Sequence, residues 1–102
     1  MEEKQKVAAL VCAFGGLPRQ FWPRLRNLPP TLILHGDADA IVPVKVVEEL
    51  STLLREKMLV HTLKIQKNVG HCWLNPRGEV MLLPALEAQG WAVTFLRQTL
   101  KP

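Results

Sequence analysis

Residues 31–35, Thr-Leu-Ile-Leu-His, form an unbroken run of β-favouring residues with no polar alternation. A strand with one wet face alternates, whereas an unbroken apolar run is covered on both faces, as in a parallel sheet between helices. Two further runs share this character. One is residues 6–14, Lys-Val-Ala-Ala-Leu-Val-Cys-Ala-Phe, closed by Gly15 and Gly16; the other is residues 59–65, Leu-Val-His-Thr-Leu-Lys-Ile. Between the second and third strands the period changes. Val46, Val47, Leu50, Leu53 and Leu54 share one face of a helix predicted over about 44–57, and Glu48, Glu49, Arg55, Glu56 and Lys57 take the other. Pro43 stands at its entry, with the φ that a first helical turn requires.

Residues 17–30 hold four of the eight prolines and read as loop, with one short helical turn around Phe21 and Trp22. Residues 66–78 are also loop. A final helix over about 84–100 starts at Pro84, carries Leu86, Gly90, Val93, Leu96 and Leu100 on one face, and is weakened by Gly90. The order is strand, loop, strand, helix, strand, loop, helix. It predicts an α/β fold with about three parallel strands joined by crossovers, as a single domain over 1–102.

Charge and composition narrow the function. There are 13 Lys and Arg against 9 Asp and Glu, and the basic residues are scattered, with only Arg19, Arg24 and Arg26 loosely grouped. Nucleic-acid binders gather basic residues on one face, so no nucleic-acid partner is expected. No apolar run approaches the ~20 residues of a membrane span. Residues 1–6 are charged and no signal-type apolar region follows them. Cys12 and Cys72 have neither metal nor disulfide spacing, which predicts free thiols and a reducing, cytoplasmic setting. No pattern calls for a cofactor.

The polar residues fall where an α/β sheet places its chemistry. His35-Gly36-Asp37-Ala38-Asp39 ends the second strand, and Gly70-His71 lies just past the third. Parallel neighbours end on the same rim, where sites in open α/β sheets gather. A carboxylate at Asp39 bonded to one nitrogen of His71 would fix the tautomer and stabilise the imidazolium once the other nitrogen takes a proton. Asp39 also has a plainer reading as a helix N-terminal acid. Asp37 reads as a turn residue bonding its own backbone. His35 reads as a core or rim histidine, and Trp22, Trp73 and Trp91 as core or lid surface. His61 has no assigned role. His35, Asp37, Asp39 and His71 are also a conceivable metal-ligand set, but strand geometry would splay His35 from Asp37 and no metal-motif spacing is present.

Pro-Pro-Thr-Leu-Ile-Leu-His-Gly-Asp-Ala-Asp-Ala-Ile-Val-Pro, then an amphipathic helix, a strand and Val-Gly-His, resembles the C-terminal part of the α/β-hydrolase family. The likeness is to its dienelactone hydrolase and carboxylesterase-like branch, with the pattern HG-x-x-D-x-x-VP. The resemblance implies a partial α/β-hydrolase fold, the C-terminal half of its sheet. It further implies Asp39 as triad acid, His71 as triad histidine and a small ester or acyl substrate.

The departure concerns the nucleophile. These enzymes carry it in G-x-S-x-G between a strand and a helix. No such motif occurs here, and the one serine, Ser51, falls inside the predicted helix. Cys12 lies in a strand-like run with Leu10 and Phe14 where an elbow needs small residues, and Cys72 follows His71 directly, so neither offers an elbow. Two readings follow. One is a serine-esterase lineage whose Asp39 and His71 act on a serine outside this sequence. The other is a non-catalytic, truncated module that pairs with itself or with a missing N-terminal half through the exposed first strand, a homodimer in the first case.

Overall fold

The computed structural model describes residues 7–15 and 17–100. Three strands, β1 (Leu10–Ala13), β2 (Thr31–Gly36) and β3 (His61–Gln66), form one parallel sheet in the order β1-β2-β3. Leu10 of β1 and His61 of β3 both stand opposite Thr31 of β2. All six residues of β2 are buried, as its unbroken apolar run predicts for a central strand.

The two faces of β2 have separate covers. Ile33 points to one side, onto Val47, Leu50 and Leu54 of helix α1 (Val44–Glu56) and onto Trp22. Trp22 belongs to a short 3-10 turn, Arg19–Arg24, where the predicted loop carries its helical turn. Lys57, just past α1, donates through Nζ to the carbonyls of Trp22 and Leu25, fastening that turn to the helix end. Leu32 and Leu34 point to the other side, onto Ala88 with Trp91, Ala92 and Phe95 of helix α2 (Leu82–Thr99). The result is a helix–sheet–helix sandwich, an open parallel α/β sheet.

One expectation about α2 is corrected. The stripe of Leu86, Gly90, Val93, Leu96 and Leu100 faces mostly outward: Leu86, Gly90, Val93 and Leu100 are exposed and Leu96 is half-buried. The packed stripe is Ala88, Trp91, Ala92 and Phe95. Apolar residues surround this helix, so the period alone selects no face; small Ala88 permits close approach to the sheet while the aromatic rings fill the flanks. The helix begins two residues before Pro84, which is tolerated because first-turn N–H groups have no intrahelical partner. Among the described residues, no helix is long and apolar enough to cross a membrane.

Candidate active site

The ends of β2 and β3 are stitched together beyond the sheet. Asp37 N–H donates to Gln66 O at 3.0 Å, and Ala38 N–H donates to Val69 O at 3.0 Å. The Asp37 carboxylate closes the seam by accepting from Asn68 N–H at 2.6 Å. Asp37 therefore bonds across 31 positions to the neighbouring loop, not to its own turn as the sequence predicts. Two glycines permit this contact. A Cβ at Gly36 would collide with the Val69 carbonyl, and one at Gly70 with the Leu74 carbonyl. The glycines of both motifs are thus places where backbone meets backbone.

Asp39 is held in the loop so formed. Its Oδ1 accepts from the N–H groups of Ile41 and Val42, each at 2.8 Å. These bonds brace the turn before α1; the helix itself has no side-chain cap. Its Oδ2 accepts from His71 Nδ1 at 2.8 Å. The carboxylate is fully buried, whereas the His71 side chain is 32% exposed. Burial pushes the Asp39 pKa up, but the hydrogen bonds from Val42 N–H, His71 and Ile41 N–H outweigh it and hold the carboxyl below its ordinary range.

His71 is fixed from both sides. It opens a single turn, His71–Trp73, in which Cys72 and Trp73 adopt φ of 55° and 59°. Left-handed backbone at two bulky residues costs about 1–2 kcal/mol each, so surrounding contacts must impose it. Trp73 supplies them. Its indole N–H donates to Gln66 Oε1 at 2.9 Å, and its carbonyl accepts from Met81 N–H at 2.7 Å. Gln66 in turn donates to Pro84 O and Glu87 Oε1 on α2. The buried Phe14 ring lies edge-on to Trp73 and to His71, with centroids 4.6 and 5.6 Å away.

The structure brings together Asp39 and His71, the two residues singled out in the sequence, and adds a third. His35, wholly buried, directs Nε2 at Val42 O (2.8 Å) and lies 3.4 Å from Asp39 Oδ2. Both neighbours accept, so Nε2 carries a proton and supports the loop that holds Asp39. The sequence marks His35 only as a core or rim residue. Gln66, Trp73 and Phe14 carry no sequence signal for this role, because their partners lie in other elements. Asp37 stands apart from the conceivable metal set, and among the described residues no group of three or more His, Cys, Asp or Glu is arranged to hold a metal.

The remaining nucleophile candidates lie elsewhere. Ser51 is buried in α1, and its hydroxyl is 2.7 Å from His61 Nε2, so that pair is separate from His71 and gives His61 the partner the sequence does not reveal. His61 Nδ1 lies 3.0 Å from the Leu59 carbonyl, which accepts its proton and leaves Nε2 to accept from Ser51. Burial pushes the Cys12 thiol up, away from the reactive thiolate. Cys72 is exposed on the turn after His71. A cavity of about 500 Å³ opens beside His71, walled by Ala38, Ala40, Ile41, Leu74, Pro76 and Met81.

Residues 1–100 match the dienelactone hydrolase family. Among solved structures, esterase PE8 is 26% identical with a TM-score of 0.67, over 92% of this chain and 40% of that one. The apo form of Thermogutta terrifontis esterase 2 reaches a TM-score of 0.70 at 19% identity, over 95% of this chain and 45% of that one, a likeness of fold. The same esterase phosphorylated by paraoxon is 25% identical over 71% of this chain and 27% of that one, with a TM-score of 0.61. The chain thus spans less than half the length of the solved esterases it matches. No curated protein matches it.

Proposed function

The chain belongs to the dienelactone hydrolase family, and from that premise we propose that Asp39 and His71 are the acid and base of a serine-type ester hydrolase site. The observation that carries this reading is the 2.8 Å bond from His71 Nδ1 to a buried carboxylate. With Nδ1 donating, Nε2 bears the lone pair. It can take the proton of a hydroxyl as that oxygen attacks an ester carbonyl, and return it to the departing alkoxide. The imidazolium formed in between is stabilised by Asp39, whose pKa lies low enough to keep it ionised. Water then repeats the cycle on the acyl-enzyme.

The hydroxyl comes from outside these 102 residues. The sequence has no G-x-S-x-G, and its one serine is engaged with His61 inside α1. By itself, the chain is a single domain that supplies two of the three triad members and turns over no ester. It acts when its sheet is joined to a nucleophile-bearing segment. The two thiols, unpaired among the described residues, fit a reducing, cytoplasmic setting.

Three measurements test this. Nitrogen-15 NMR of the chain should show His71 protonated at Nδ1 and bare at Nε2, and the opposite tautomer would overturn the acid–base reading. Thermogutta terrifontis esterase 2 is phosphorylated by paraoxon, so a fluorophosphonate probe is the matching reagent for an activated serine. Intact mass should show no adduct on this chain, and p-nitrophenyl ester hydrolysis should match that of the Asp39→Ala, His71→Ala double variant. A stoichiometric adduct, or turnover lost in either single variant, would place a nucleophile within the chain.

A further inference from the structure

The cavity beside His71 has a chemistry of its own, and its reading rests on the acid–base role of that histidine. Its wall combines the loop that holds Asp39, through Ala38, Ala40 and Ile41, with the loop after His71, through Leu74, Pro76 and Met81. No Asp, Glu, Lys or Arg among the described residues lines it. Asn75 does line it, but most of its amide is engaged inside its own loop. Oδ1 accepts from Arg77 and Glu79 N–H, both at 2.9 Å, and Nδ2 donates to Glu79 Oε1 at 3.1 Å. The lining side-chain atoms left for a ligand's polar groups are the second Asn75 Nδ2 N–H, the Asn68 amide and His71 Nε2, all uncharged while the imidazole is neutral, since His71 Nδ1 is taken by Asp39.

We infer that this cavity receives an uncharged, apolar arm of the ester, setting the site for neutral aliphatic or aromatic esters and against substrates charged on that arm. A charged group there would lose its hydration without gaining a counter-charge, a cost well above that of leaving a methylene in water. The exception would be an anion paired with the His71 imidazolium, and in that form His71 is no longer a base. Such an anion inhibits and is not turned over. The volume lies within the range of small-molecule sites, about 300–1,000 Å³. Met81 adds an unbranched, adaptable wall. Ile41, 71% exposed at the rim, is the kind of apolar surface a ligand covers.

The test uses three ligands with the same pentyl chain and different heads: hexanamide, hexanoate and pentylammonium. They are titrated above neutral pH into the methyl-labelled chain. Hexanamide should shift the Ile41, Leu74 and Met81 methyl resonances saturably, and the two ions should bind at least about tenfold more weakly, equivalent to about 1.4 kcal/mol. Ala40→Lys should reverse the order in favour of hexanoate while leaving the His71 tautomer signals in place, which also verifies its fold. Equal or tighter binding of either ion to the unmodified chain, or no methyl shift with any ligand, would overturn the inference. Binding is read without turnover. A wrong His71 tautomer would therefore sink the acid–base reading and leave the cavity result intact, and the converse holds.

Discussion

Asp39 is buried yet held below the ordinary carboxylate range, because three donors converge on it: Val42 N–H, His71 Nδ1–H and Ile41 N–H. Its folded-state pKa therefore lies below its unfolded one. The stability it contributes is complete above about pH 4 and is lost as pH falls through the folded value. Asp39→Asn should cost about 1–3 kcal/mol near neutrality, the range for leaving buried donors poorly matched. The gap to the unmodified chain should close on acidification, as read by urea unfolding at several pH values. Parallel curves for the two proteins would refute the assignment of the acid-labile stability to this carboxylate. At this scale the sequence reveals residues whose partners recur in a motif, and Asp39 and His71 are such residues. It conceals residues whose partners are set only by folding. Asp37 finds Asn68 on the next strand's loop, and Ser51 finds His61 across the helix–sheet interface. Neither pairing has a local spacing to betray it.

Elements were legible in proportion to how one-sided they are. The α1 stripe of Val47, Leu50 and Leu54 is buried as its period requires, because the opposite face is charged and only one orientation hides the apolar side. The β2 run is buried throughout for the same reason, having no polar side to expose. Helix α2 is apolar on both sides, so its orientation is decided by fit against Leu32 and Leu34, which a single sequence does not display. This has a measurable consequence. Leu86→Glu and Val93→Lys, on the outward stripe, should leave stability unchanged within about 0.5 kcal/mol. Ala88→Leu, which adds volume where the helix meets the sheet, should cost about 1–3 kcal/mol. Thermal unfolding of the three variants decides between the faces; a large loss at Leu86 with tolerance at Ala88 would reverse the orientation of α2.

The sheet as a whole has two unlike edges. β3 carries Lys64, which lies over the Trp91 ring, and a lysine on an edge strand discourages pairing with another chain. β1 is Leu-Val-Cys-Ala, with no charge. Leu10 and Phe14 N–H groups donate to Pro30 and Leu34 on the β2 side, both at 3.0 Å, so the alternating groups of Val11 and Ala13 face outward, where no strand among the described residues meets them. An uncharged parallel edge of this kind is a template for another strand. It could be filled by a second copy or by the rest of a larger sheet, in keeping with a chain that covers less than half of its solved relatives. The chain alone should therefore self-associate at micromolar concentration. Ala13→Pro should abolish this. Proline removes an outward N–H without breaking a bond to β2, a position an edge strand tolerates, and Ala13 is exposed, so little packing is lost. Sedimentation equilibrium should give twice the chain mass for the unmodified protein and the single mass for the variant. An unmodified chain that stays monomeric, or a variant that stays dimeric, would show that β1 is not the joining edge.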